Sequence, residues 1–173
     1  MATRKMNITI WGFIGVLLIS VCLMGFVTQA GAEILKWRQT LYVSKVDRIE
    51  VGDVPGHILG VGEGGGVAFF EKGEVATYTW KATLDYVNGV GPSQGYEVYT
   101  FEDGSTFLYK YEVVSTAEGK TFRWKGTFSF MQGSGRFAGI QGGGSFTGKR
   151  VGGPASGTQG YLDYTATYTL PPK

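Results

Sequence analysis

From Val75 to Thr169 this chain alternates apolar and polar residues with a period close to two. That alternation is the strongest constraint on what it can fold into. In Val75–Val87 one face reads Tyr78, Trp80, Ala82, Leu84, Tyr86 and the other Thr77, Thr79, Lys81, Thr83, Asp85. Successive Cβ atoms of an extended strand point to opposite sides, so a period of two sorts these sets onto two faces of a sheet. Phe107, Tyr109, Tyr111 and Val113 alternate in the same way with Leu108, Lys110, Glu112 and Val114. Phe122, Trp124, Gly126, Phe128 and Phe130 alternate with Thr121, Arg123, Lys125, Thr127 and Ser129, and Leu162, Tyr164, Ala166 and Tyr168 with Asp163, Thr165, Thr167 and Thr169. Turn chemistry separates the runs: Asn88-Gly89, Glu102-Asp103-Gly104-Ser105 and Ala117-Glu118-Gly119-Lys120. A helix would be penalised both by the 29 glycines and by the aromatic and β-branched residues crowded between them.

Ahead of Val75 the pattern is less regular. Residues 37–49 read as a strand, and 57–61 and 67–71 as a short pair around the glycines of 62–66. Another short strand is read over 145–151, and a strand over 96–101. Eight or nine short meandering strands must hide their edges, and closure into a barrel does so best. The expected fold is therefore all-β, an eight-stranded antiparallel, calycin-like barrel, with a two-sheet sandwich as the alternative.

The first 32 residues are of another kind. Arg4 and Lys5 precede a run, 8–27, without a single charge, and Ala30-Gly31-Ala32 then places small residues where a signal peptidase reads. The expectation is a secretory signal over 1–32, cut between Ala32 and Glu33, followed by one barrel domain over 33–173 in a periplasmic or secreted location, in a bacterial source. An uncleaved anchor is the alternative, since such a run is also long enough to span a bilayer, and is the chain's only expected contact with a membrane. Cys22 lies within the run behind Val21, where a lipidation site wants a small residue. The exported part then has no cysteine and must be held by packing alone. Without Arg4 and Lys5 the 14 remaining basic residues balance 14 acidic ones, and no basic patch suggests nucleic acid as a partner.

At Gly133 the alternation stops. Gly133-Ser134-Gly135-Arg136-Phe137-Ala138-Gly139-Ile140-Gln141-Gly142-Gly143-Gly144 reads as a strand end and a compact turn with positive-φ glycines, with Phe137 and Ile140 tucked inward as plugs. This element, with Gly126–Phe130 before it and Ser145-Phe146-Thr147-Gly148 after it, resembles the G-x-G-x-F-x-G-x-x-G element of the allene oxide cyclase and dirigent barrel superfamily. The resemblance implies an eight-stranded barrel with an apolar cavity, often dimeric or trimeric. It implies chemistry that consists largely of confining a reactive ligand. The glycine motif is structural in that family, so it transfers no catalytic residue.

Sites are sparser. His57, the sole histidine, reads as a loop-end residue more readily than as a general base, and with no cysteine in the exported part a usual zinc site is not formed. Gly91-Pro92-Ser93-Gln94-Gly95 has the letters of a nucleophile elbow but no helix after it, so it reads as a hairpin loop. Gly60-Val61-Gly62-Glu63-Gly64-Gly65 likewise lacks the helix a dinucleotide site needs. No cofactor or metal is expected. The aromatic faces carry more: Tyr78, Trp80 and Tyr86 on one strand, Trp124 and Phe128 on another. They read as packed core, as the wall of a cavity for a ring-bearing or lipid-like ligand, or as an oligomer interface. Glu112 and Arg123 are acid–base candidates only if their polar row lines the barrel; otherwise they belong to a solvated outer face.

Three functions stay open from the letters. The first is a barrel that binds a small hydrophobic or aromatic molecule. The second is a cyclase or isomerase working by confinement on a lipid-like substrate. The third is a dirigent-like or structural interaction protein, as a homo-oligomer. A filled lumen would favour the last, an aliphatic and aromatic cavity the first, and a cavity holding a buried carboxylate the second.

Overall fold

The computed structural model describes residues 31–152 and 158–172. The charge-free run 8–27 and its cysteine lie outside the described residues. Eight strands, β1 (Glu33–Glu50), β2 (His57–Phe70), β3 (Val75–Val87), β4 (Gly91–Phe101), β5 (Thr106–Glu118), β6 (Thr121–Ser134), β7 (Gln141–Arg150) and β8 (Thr158–Thr169), follow one another around a closed barrel. Every pairing is antiparallel, including β8 back onto β1, where Trp37 faces Tyr164 and Glu33 faces Tyr168. Closure leaves no free edge, which answers the strand-edge problem that the alternation posed.

The apolar face of each alternating run points inward. Tyr78, Trp80, Tyr99, Phe107, Tyr109, Tyr111, Phe128, Phe130, Phe146 and Tyr164 are buried, while Lys81, Glu112, Arg123 and Lys125 face out. The ends of β1, β3, β5 and β7 and the starts of β2, β4, β6 and β8 gather at one end of the barrel. The connections β2–β3, β4–β5 and β6–β7 gather at the other, with the start of β1 and the end of β8.

That second end is shut by aromatic packing. The Trp37 ring lies between Tyr164 (centroids 4.6 Å apart) and Phe70 (5.4 Å). A 3-10 turn, η1 (Gly135–Phe137), folds inward after β6 with Gly135 at φ +59° and Gly139 at φ +75°, both in the left-handed region that glycine tolerates. It seats Phe137 against Phe101 (5.0 Å) and Phe107 (5.3 Å), with Ile140 buried beside it. Arg136 lies over the rings of Phe101 and Phe137 at 4.6 and 4.9 Å and pairs with Glu74 and Asp103. It caps the plug with a cation on ring faces.

Two local readings are corrected. The glycines of 62–66 do not interrupt a pair of short strands, because β2 runs unbroken through them. They are the room that neighbouring rings need: a Cβ on Gly62 would sit 3.2 Å from the Trp80 ring, and one on Gly64 would meet the Trp80 indole nitrogen at 2.8 Å. Gly91–Gly95 is not a hairpin loop but the first half of β4, paired with β5 from Gly91↔Ser115 to Gly95↔Tyr111. The turn before it is only Asn88-Gly89, with both residues at positive φ.

Candidate functional site

The closed half of the barrel is filled; the other half is not. A cavity of about 630 Å³ opens at the end where β1, β3, β5 and β7 finish. Its wall is apolar, with Leu41, Val43, Leu84, Val113, Phe146 and Leu162 among rings of Trp80, Tyr86, Tyr111, Phe122 and Trp124. An irregularity between Val43 and Lys45 inserts Ser44 into β1, whose hydroxyl donates to the Glu63 carbonyl at 2.9 Å. The bulge passes the wall position from Leu41 and Val43 to Val46 and Arg48. Arg48 and Arg150 stand at the mouth, and among the described residues neither has an acidic partner within ion-pair distance. Two other concavities, of about 590 and 850 Å³, are grooves on the outer surface among side chains such as Lys81, Gln94, Lys110 and Glu112.

The floor is a polar knot that the sequence reading did not single out. Glu97, 5% exposed, points inward from the middle of β4. Its Oε2 accepts from Tyr109 Oη (2.6 Å), Tyr99 Oη (2.8 Å) and Gln39 Nε2 (3.1 Å). Its Oε1 has a single long contact, Tyr164 Oη at 3.5 Å. The shell is itself tied together: Gln39 Nε2 also reaches Tyr164 Oη (3.1 Å), Gln39 Oε1 is the alternative acceptor for the single Tyr99 hydroxyl proton, and Trp37 Nε1 donates to Tyr99 Oη (3.2 Å). Burial pushes the Glu97 carboxyl above the usual range, and the hydrogen bonds from Tyr109, Gln39, Tyr99 and Tyr164 pull it part of the way back. The same burial, with the Glu97 charge second, raises Tyr99, Tyr109 and Tyr164 well above an ordinary phenol. All three remain neutral hydrogen-bond donors.

The aromatic residues singled out from the sequence share the inward face but divide between two jobs. Trp80, Tyr86 and Trp124 line the cavity. Trp80 is fixed by its indole N–H on the Tyr42 carbonyl (3.1 Å). Tyr78 and Phe128 lie deeper, in the packed half. Tyr78 donates to the Thr40 carbonyl at 2.5 Å and stacks on Tyr99, and Phe128 lies 4.5 Å from Tyr109. Glu112 and Arg123 stand outside. Glu112 is exposed, and Arg123 pairs with Glu118 at 2.5 Å on the outer face. The condition under which they would act as acid and base, a polar row lining the lumen, is not met. Glu97 carried a usable signal: the alternation that puts Tyr99 and Phe101 on the buried face puts Glu97 there too.

His57 is not a free loop-end side chain. Its Nδ1 lies 2.6 Å from Asp53 and its Nε2 2.9 Å from Asp85, so the imidazolium bridges the β1–β2 turn to β3. Asp85 and then Asp53 raise its pKa, and a neutral ring can donate to only one of them. The contribution of this bridge to stability is therefore complete below the ordinary histidine range and lost as pH rises through the raised value. An NMR titration is expected to find His57 above 6.5. The substitution Asp85→Asn should lower it further than Asp53→Asn does, and the reverse order would assign the main partner wrongly. Among the described residues no three His, Cys, Asp or Glu side chains are grouped to hold a metal ion.

Fold and site together define a closed, eight-stranded antiparallel barrel, plugged at one end and open at the other, with a buried carboxylate at the base of the opening. Comparison of the chain with protein-family models and with curated proteins returns no match.

Proposed function

We propose that this protein binds a small, elongated apolar or aromatic molecule inside the open half of its barrel, outside the cytoplasm. The observation that carries the reading is the cavity of about 630 Å³, walled by aliphatic and aromatic side chains and floored by one polar cluster. Ligand sites are built in this way: apolar walls supply affinity and a few fixed polar groups supply orientation. The charge-free run ahead of the barrel and the small residues at Ala30-Gly31-Ala32 support export.

A second reading, an enzyme of the cyclase or isomerase kind, is favoured by Glu97. A carboxyl held in apolar surroundings with its proton affinity raised is the type of group that transfers protons to a confined substrate. The resemblance of the Gly133–Gly144 element to the allene oxide cyclase and dirigent barrels agrees with either reading, since both rest on confinement.

Trp80 and Trp124 in the wall report directly on occupancy. Titration with anilinonaphthalene sulfonate should change their fluorescence and saturate at one site. The substitution Leu84→Trp, which fills the shaft from the wall, should weaken that binding on the order of tenfold or more. Unchanged affinity in the filled variant would place the probe on the outer surface and remove the basis for the reading.

A further inference from the structure

The carboxylate of Glu97 is surrounded by the wrong set of neighbours for a permanently neutral acid. Tyr109 and Gln39 donate to Oε2, and Tyr99 Oη lies within donor range of the same oxygen. Hydrogen bonds donated to a carboxylate are stronger than those donated to the carbonyl of a neutral acid, so this shell favours the charged form. Burial acts in the opposite sense and disfavours the charge. What would reconcile the two is a cation, and the barrel supplies none: no Lys, Arg or His lies within ion-pair distance of Glu97 among the described residues. Oε1 is the oxygen left over, and Glu97 is part of the cavity floor. The cavity wall beside it carries the rings of Trp80, Tyr111 and Phe146, and aromatic ring faces attract a cation. At the mouth the polarity is reversed: among the described residues Arg48 and Arg150 lack acidic partners, and the Arg150 guanidinium lies 5.8 Å over the ring of Phe122 and donates to the Gly152 carbonyl (3.2 Å) and Gln159 Oε1 (3.4 Å).

We infer that the ligand is dipolar: an amphipathic molecule that leads with an ammonium group, received by Glu97 and the surrounding rings, and trails a carboxylate held by Arg48 and Arg150. The inference rests on the binding reading above and assigns the polarity of that site. Register gives a guide to the length of the ligand. Glu97 pairs with Trp80 and Trp80 with Gly64, while Arg48 pairs with Gly60. The two register positions are four residues apart on β2, a rise of about 13 Å along the strand, and an extended chain of roughly eleven carbons matches that rise. A ligand with its anion at the floor would face Glu97 with no compensating cation. A purely cationic ligand would leave the two guanidinium groups at the mouth without an anion.

Three probes of one length separate these cases: ω-aminoundecanoate, undecanoate and undecylamine, titrated calorimetrically against the wild-type protein, Glu97→Gln and the double variant Arg48→Gln/Arg150→Gln. The aminoacid probe is expected to bind on the order of tenfold more tightly than either single-headed probe. Glu97→Gln should remove its advantage over undecanoate, and the double arginine variant its advantage over undecylamine. If undecanoate equals or exceeds ω-aminoundecanoate in the wild-type protein, the inference is overturned while the cavity reading stands. If undecylamine binds as well as the aminoacid probe, the anion site at the mouth is wrong. If none of the three binds and anilinonaphthalene sulfonate does not either, the cavity reading fails and the inference falls with it.

Discussion

Replacing Trp37 with alanine is expected to destabilise the barrel by about 4 kcal/mol, the middle of the range for removing a large buried aromatic ring. Trp37 is 3% exposed and belongs to β1, the strand that closes the barrel through its pairing with β8. Its ring is stacked on Tyr164 and Phe70 and meets Tyr99 and Phe128 edge-on, at 5.9 and 5.7 Å. The truncation leaves a cavity that the stiff strands around it cannot collapse to fill, and it removes the Nε1 donor to Tyr99. Denaturant unfolding monitored by circular dichroism checks this. A loss below about 1.5 kcal/mol would mean that the closed half is far looser than its stacked rings imply.

Glu97 gives the second large effect, and two substitutions separate its parts. Glu97→Leu keeps the volume but leaves Tyr109, Tyr99 and Gln39 donating into an apolar site, and is expected to cost about 3 kcal/mol. Glu97→Gln keeps an acceptor at the Oε2 position and should stay within about 1 kcal/mol of the wild-type protein at acidic pH. The pH dependence has a definite sign. The native carboxyl holds its proton more tightly than the unfolded one, chiefly through burial. Between the unfolded pKa and the raised native value the native state therefore binds one proton more. Stability then falls as pH rises, by about 1.4 kcal/mol per pH unit across that window. Glu97→Gln should flatten this slope, so the variant gains on the wild-type protein as pH increases. A slope that survives the substitution would show that another group carries it.

Much of the architecture was legible because two independent signals agreed. The alternation in β3, β5, β6 and β8 named both faces of each strand, and the glycines around Phe137 announced an inward turn that the structure places as the plug. Where only one signal was present the reading failed. The glycines of 62–66 look like a break in a one-dimensional pattern; across the sheet they are spaces occupied by the ring of Trp80 and by the close approach of β1. Pro92 and the glycines on either side look like a loop, yet they pair along β5. Trp80, Tyr86 and Trp124 could be named as aromatic wall residues, but not separated from Tyr78 and Phe128, which share their face and lie in the packed half.

The sequence by itself determined that the described chain is built of strands, where most of them turn, and which residues share a side, because a strand's side-chain period is a local property of the backbone. It could not determine which side is the interior, since both a core and an outer interface accept aromatic rows. Only closure of β8 onto β1 decided that, by giving every strand the same inside. Closure also made the site. Gln39, Glu97, Tyr99, Tyr109 and Tyr164 come from four strands, with up to 125 residues separating bonded partners, and meet only because the barrel brings their inward rows to one level. The taper from stacked rings to open shaft is likewise a property of side-chain volumes summed around the barrel. No window of the chain contains that sum.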